Sequence, residues 1–364
     1  MCMKRVVVIS GTNHYEERAK SVIEEYQKAH EVIYLTSDFD HVTKKYYEIE
    51  IPYAQQLHVM GYQKNLSPSR ILSHIQFSIK TFFRLLKLKP DIVYVEIPHN
   101  TLAIATKWYK RFHKCELIMD IFDMWPESLP MKSENILFKM ACSVWRGFRN
   151  HNLKYADKVY TECNYYQKLI HREGCDVPME TKYLTRKKAD LDIQTIWDEE
   201  KIHLCYVGNI NNIIDIPFIT EFLSRINEKK TICFHLIGNG ESRSRLIESL
   251  ETKGIHVISY GVVYDVYRLQ EIFNQCYFGI NFLLPNLAIG LTMKSITYLR
   301  GGIPLLNTVD GDTWNMVENY HAGINIEREH MEQAIDVILN MSYEQIHAMK
   351  ENAHIVFEEH FAEE

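Results

Sequence analysis

The residues best suited to chemistry lie in "GLTMKSITYLRGGIPLL", positions 290–306. Lys294 is a lone cation flanked by Met293, Ile296 and Leu299. Gly290, Leu291 and Thr292 can form a loop that opens a helix, whose first amides lack intrahelical acceptors and favour a phosphate. An ammonium in that first turn adds a full charge against a diphosphate. Glycines end three apolar runs further upstream: Gly208-Asn209, Gly238-Asn239-Gly240 and Gly261. Glycine at a strand end permits a tight turn and close approach of the backbone to a ligand. Three such ends in consecutive strand–helix units point into one crevice. The run "GNGESR" is not a G-x-G-x-x-G fingerprint, which argues against a nicotinamide or flavin dehydrogenase.

Asp123, just before Pro126, can orient or deprotonate a hydroxyl, or can simply cap its turn. His14 and His99 each follow a strand-like run and are weaker acid–base candidates. Three Asp-x-Asp triplets, "DFD" (38–40), "DLD" (190–192) and "DGD" (310–312), are ordinary spacings in a chain with 47 acidic residues, so no metal is expected. The eight cysteines form no C-x-x-C pair and read as reduced core residues of a cytosolic protein.

These residues need a scaffold. Continuous apolar runs such as "RVVVIS", "DIVYVEI" and "CELIMDIFD" alternate with amphipathic helical stretches, which predicts parallel sheets covered on both faces. A charged stretch, "TRKKADLDIQTIWDEE", interrupts the alternation, which then restarts with "HLCYVG" and "TICFHLIG". The expected division is a first domain over 1–185, a linker over 186–200, a second domain over 201–340 and a final helix over 341–364. The fold class expected is α/β, with two Rossmann-like parallel-sheet domains facing each other across a cleft.

Hydrophobic content of 46% and charged content of 24% over 364 residues suit two globular cores. The net charge of −6 hides an asymmetry: residues 1–188 carry 29 Lys and Arg against 21 Asp and Glu, and the remainder 12 against 26. The basic half is suited to an anionic surface or acceptor. "KTFFRLLKLK" and "KWYKRFHK" interleave bases with aromatics, as a peripheral membrane face does; snorkelling lysines on ordinary helix surfaces read the same way. Nucleic acid is not expected, because no recognisable binding module accompanies these bases. The N-terminal run reads as a buried first strand, and the uncharged stretch 272–293 as strand plus loop, because its asparagines and Pro285 are costly in hydrocarbon.

The order K-x-x-T-Y-L-x-x-G-x-P, preceded by "HLIGNGESR" and "ISYGVVYDVYRL", resembles the donor half of GT-B glycosyltransferases, in particular the retaining family four. "KPDIVYVEIPHN" and "IMDIFDMWPESLP" are similar to members that build bacterial surface polysaccharides, and "MKENAHIVFEEHFAEE" to the final helix that crosses back onto the first domain in this fold. The resemblance implies that Gly208 and Asn209 lie near the donor phosphates, and Gly238, Asn239, Gly240 and Arg243 under the nucleotide. It places Val262 and Val263 at the base, Lys294 on the diphosphate, and Leu291 and Thr292 at the sugar phosphate. On the acceptor side it places Gly11, Thr12, Asn13, His14, His99, Asp123, Trp125 and Glu127. The chain departs from the family at Ile289 and Thr297, where many members carry carboxylates. The second of these normally holds both ribose hydroxyls, a contact that threonine is too short and uncharged to copy.

The resemblance therefore implies a metal-independent, cofactor-free enzyme of the cytoplasm; the basic-aromatic stretches, if they form a membrane face, would hold it at the inner side of the cell membrane. It would transfer a sugar from a nucleotide sugar, UDP-linked rather than GDP-linked, to a saccharide or lipid-linked acceptor, with Lys294 and Arg243 stabilising the departing diphosphate. Two other readings stay open: a nucleotide-sugar 2-epimerase of the same architecture, and a non-catalytic partner of an active transferase.

Overall fold

The computed structural model describes residues 3–11, 16–64, 67–130 and 135–363, and it divides by internal contacts into two units, residues 1–182 and 183–364. The division falls just ahead of the boundary expected after residue 185. Thr12, Asn13 and His14 lie outside the described residues.

In the first unit, β1 (Arg5–Ile9), β2 (Glu31–Ser37), β5 (Ala54–Leu57), β6 (Ile92–Ile97), β7 (Glu116–Ile121), β8 (Lys158–Thr161) and β9 (Glu180–Thr181) form a parallel sheet ordered β5-β2-β1-β6-β7-β8-β9. A short antiparallel pair, β3 (Phe39–Asp40) and β4 (Lys45–Tyr46), sits outside it. The helices are α1 (Glu16–Gln27), α2 (Pro68–Leu88), α3 (Asn100–Phe112), α4 (Ile136–Leu153) and α5 (Asn164–Arg172). Val6, Val7, Val8 and Ile9 are all fully buried, because a central parallel strand is covered on both faces. The α2 helix begins where Ser67 Oγ accepts the Arg70 amide and Pro68 fills the first turn; it ends at Lys89 in the left-handed region. Inside the core, Arg18 makes two bonds of 2.7 Å to Asp120, which also accepts the Tyr94 hydroxyl.

The second unit repeats the plan with β10 (Ile202–Val207), β11 (Ile232–Ile237), β12 (His256–Gly261), β13 (Phe278–Asn281), β14 (Leu305–Asn307) and β15 (Gly323–Asn325), all parallel, in the order β12-β11-β10-β13-β14-β15. Its helices are α6 (Ile216–Asn227), α7 (Arg243–Glu251), α8 (Val266–Gln275), α9 (Met293–Arg300), α10 (Asp312–Tyr320), α11 (Met331–Leu339) and α12 (Tyr343–His360). Residues 186–200, expected as a linker, are fastened to this unit. Gln194 and Ile196 amides donate to Asn274, Trp197 stacks on Tyr277 at 5.1 Å, and the Asp198 amide donates to the Tyr277 hydroxyl. The stretch is charged, but Trp197 has a ring to pack against.

The last helix, α12, starts with a capping box of Ser342 and Gln345 and packs on α9 and α10. Its Lys350 is almost fully buried, with Nζ donating to the carbonyls of Gln194 and Phe273. No helix among the described residues is long and apolar enough to cross a membrane.

Candidate functional site

The carboxyl ends of β10 and β11 meet through their glycines. Gly208 has φ +111°, Gly238 φ +134° and Gly240 φ +150°, a backbone region costly for any side chain. A Cβ on Gly238 would stand 2.0 Å from the Gly208 carbonyl oxygen, and one on Gly240 2.4 Å from that of Ile210. The two turns interlock: Ile210 N–H donates to the Asn239 carbonyl, and Asn239 Oδ1 accepts the Gly240 amide. Gly261, φ +68°, closes the third strand end by accepting the Gly238 amide at 2.6 Å. Beyond it Val262 is exposed and Val263 partly so. Arg243 opens α7, and its guanidinium donates to Ser259 Oγ at 2.6 Å.

Lys294 lies in the first turn of α9, above β10. Its Nζ is 4.6 Å from the centre of the Tyr206 ring. The residue keeps some exposure, but the nitrogen itself is sealed from solvent and has no hydrogen-bond partner among the described residues. Burial pushes the amine down from 10.5 to about 7. The ring beneath it is pinned, because the Tyr206 hydroxyl donates to the Asn209 carbonyl at 2.9 Å. Tyr298, one turn along α9, ties the helix to the sheet: its hydroxyl accepts the Val207 amide and sits 3.2 Å from the Cys205 and Ile280 carbonyls. Lys294 is thus coupled to the Gly208-Asn209 turn through two tyrosines.

Leu291 and Thr292, whose backbone or hydroxyl groups are expected at the sugar phosphate, lead into α9. The Thr292 hydroxyl is spent as the N-cap of α9, accepting the Ser295 amide at 2.9 Å and bonding Ser295 Oγ at 2.7 Å. Leu291 is buried. Thr297 donates its hydroxyl back to the Met293 carbonyl at 3.0 Å, as a threonine within a helix does.

In the first unit, Gly11 packs so closely on His99 that a Cβ there would meet the imidazole at 2.1 Å. His99 stacks on His74, ring centres 3.6 Å apart, and His74 stacks in turn on Trp125 at 5.8 Å. The Arg70 guanidinium lies 4.0 Å over the Trp125 ring. Burial pushes His99 down to about 3 and His74 well below its ordinary value. Asp123 accepts the Ser128 hydroxyl at 2.5 Å. Glu127 is held by Arg149 at 2.7 Å and Arg146 at 3.2 Å, with Arg149 fully buried. That carboxylate is part of an internal ion-pair network, which also ties Arg146 to Glu173. Sequence reasoning missed Arg70, His74 and Tyr206. The visible signal for the first two is an Arg and a His four apart on the buried face of α2.

A parallel two-unit α/β chain with glycine turns at the strand ends and a cation at a helix start has the GT-B fold of glycosyltransferases. The solved structures it resembles make this specific. Sucrose-phosphate synthase from Thermosynechococcus elongatus superposes with a TM-score of 0.73 at 11% identity, covering 99% of this chain and 95% of that one. HepE from Anabaena, solved with UDP-glucose, gives 0.68 at 12%, with 99% and 96% covered. A glycosyltransferase from Rickettsia africae gives 0.62 at 14%, with 100% and 95% covered. No family model matches the sequence, and no curated protein does.

Proposed function

We propose that this chain is a glycosyltransferase that takes its sugar from a UDP-linked donor, retains the anomeric configuration, and passes the sugar to a saccharide or lipid-linked saccharide in surface-polysaccharide assembly. The observation that carries the reading is the buried Lys294 amine without a hydrogen-bond partner at the start of α9. A buried cation with nothing to bond is costly on its own and becomes favourable when a diphosphate enters. Similarity in fold to HepE, whose structure contains UDP-glucose, supports a UDP donor.

The chemistry asked of the protein is mainly electrostatic. As the bond between sugar and diphosphate breaks, negative charge grows on the leaving phosphate. In this reading Lys294 and the first α9 amides meet that charge, with Arg243, bonded to Ser259 on β12 two strands from β10, as a second cation. The acceptor hydroxyl attacks from the face the diphosphate leaves, with Asp123 orienting it or taking its proton. No residue in this account requires a metal.

Membrane contact belongs to the same proposal. Ile71, Leu72, Ile79 and Phe83 on α2, and Trp108 and Phe112 on α3, are exposed. Ile75, Phe82 and Ile104 line an apolar groove of about 310 Å³ between these helices. Lysines and arginines flank both helices, so the face combines apolar insertion with attraction to anionic lipid.

Incubating the protein with a panel of nucleotide sugars and saccharide acceptors tests the reading. Transfer or slow hydrolysis of a UDP-sugar is expected; release of an epimerised sugar with no acceptor present would transfer the assignment to an epimerase.

A further inference from the structure

At the opposite end of the β10–β11 pair from the glycine turns, three side chains with metal-binding atoms share one face of the sheet. The register pairs His203 with Cys233, Cys205 with His235, and Cys233 with His256 on β12. His203, Cys233 and His235 therefore point the same way, and one ligand atom from each lies within 4.8 Å of the others. His203 Nδ1 and His235 Nε2 face each other at 2.8 Å. Tetrahedral zinc, with about 2.0–2.1 Å to nitrogen and about 2.3 Å to sulfur, needs roughly 3.3 Å between two ligating nitrogens. Opening this pair by about half an ångström would admit the ion.

The outer partners are in place. His203 Nε2 is 3.1 Å from Asp198 Oδ2, and His235 Nδ1 is 2.8 Å from the Tyr260 hydroxyl. Metal-binding histidines characteristically engage such a partner on the other ring nitrogen, which fixes ring orientation and tautomer. His256 Nδ1 lies 3.7 Å from Cys233 Sγ on the exposed edge strand β12, which gives the three-residue cluster a path to solvent, the source of a fourth ligand. His235 is fully buried, so its ring is held in place by the strands around it.

We propose that His203, Cys233 and His235 form a structural zinc site that fastens β10 to β11. Extended chain separates His203 from Gly208 by five residues, about 16 Å, and His235 from Gly238 by three, about 10 Å, so no ligand of the site is one of the strand-end glycines and the site is proposed apart from the transfer reaction. Zinc binding forms bonds from the two imidazole nitrogens and the Cys233 sulfur, and the thiol proton leaves to solvent.

The test uses the full chain, stripped of metal with a chelator and titrated with Zn²⁺ against a chromophoric competitor. One equivalent is expected to bind with submicromolar Kd, raise Tm and release about one proton, seen by calorimetry in buffers of different ionisation enthalpy. Cys233→Ser should weaken binding at least about 100-fold, and Asp198→Asn about 10- to 100-fold, while exposed His330→Gln leaves it unchanged. UDP affinity of Cys233→Ser should match that of the unaltered chain. Because Cys233 is buried, Co²⁺ loading of the unaltered protein gives a reading that needs no variant: a thiolate-to-cobalt charge-transfer band is expected. Absence of that band, absence of stoichiometric zinc binding, or undiminished binding by Cys233→Ser would overturn the site.

Discussion

Lys294 Nζ sits over the Tyr206 ring at 4.6 Å, and nothing hydrogen-bonds it among the described residues. Tyr206 comes from the strand that ends at Gly208, and Lys294 from the helix that begins after Gly290. The cation therefore rests on the strand whose turn is proposed to meet the donor phosphates. A π face attracts a cation with about 0.5–2 kcal/mol, less than the cost of burying an unpaired charge. The arrangement costs the empty protein stability that a bound anion can restore.

That cost has a pH signature. The folded-state value of Lys294 is about 7, against 10.5 for the free side chain. Between these values the unfolded chain binds more protons, so stability of the ligand-free protein rises with pH across roughly pH 7 to 10.5 and the gain from this residue is lost as pH falls through 7. Lys294→Met removes the cost. Chemical denaturation at pH 7 should show the variant more stable by roughly 2–4 kcal/mol, the gap narrowing towards pH 10. A variant less stable than the parent would mean that the ammonium is well solvated.

Nucleotide binding should take up a proton above neutral pH. A diphosphate favours the ammonium form, so UDP affinity should be flat below pH 7. It should then fall up to about tenfold per unit as pH climbs above 7, until the bound-state value is reached. Calorimetry at pH 8 in two buffers of different ionisation enthalpy measures the uptake directly. Equal heats in both buffers would remove Lys294 from the binding event.

The glycine turns separate steric from conformational demand. At Gly238 an added Cβ meets the Gly208 carbonyl at 2.0 Å, whereas at Gly208 nothing lies within 4 Å. Both have positive φ. Gly208→Ala should cost about 1–3 kcal/mol of strain. Gly238→Ala should cost more, with a Tm loss clearly larger than that of Gly208→Ala, because backbone must move.

Thr297 is tied to Met293 and leaves no carboxylate for a ribose. Thr297→Glu should tighten UDP binding about 10-fold or more if the ribose passes this turn of α9, since hydrogen bonds to charged groups contribute about 1.5–3 kcal/mol. The gain should vanish with 2′-deoxy-UDP. No gain with UDP itself would place the ribose elsewhere.

The membrane face gives a separate expectation. Replacing Phe83, Trp108 and Phe112 together by Ser should reduce sedimentation with vesicles containing anionic phospholipid at least several-fold, with UDP affinity unchanged. Equal sedimentation of variant and parent would assign these side chains another role.

Much of the scaffold was legible because its strands are nearly continuous apolar runs and its turns carry glycine: β1, β6, β10 and β11 stand out on that ground alone. Lys294 stood out as a lone charge among apolar neighbours. What escaped notice depends on pairings distant in sequence. The seat of Lys294 on Tyr206 follows from sheet register and helix placement, 88 positions apart. The Glu127–Arg149 pair joins residues 22 positions apart. The stack of His74 on His99 joins a helix to a strand end 25 positions on. Residues 186–200 read as a linker from their charge, and the seat of Trp197 on Tyr277, 80 positions on, is not visible in that composition.

The central claim is that Lys294 is the cation that receives the donor diphosphate. Titrating UDP into the parent protein and into Lys294→Met at pH 7, with Tm measured on the same samples, tests it most directly. At least a 100-fold loss of affinity, or no detectable binding, is expected in a variant that melts at the same temperature or higher, since a charge-assisted phosphate contact contributes about 3 kcal/mol. UDP affinity within threefold of the parent, in a folded variant, would contradict it.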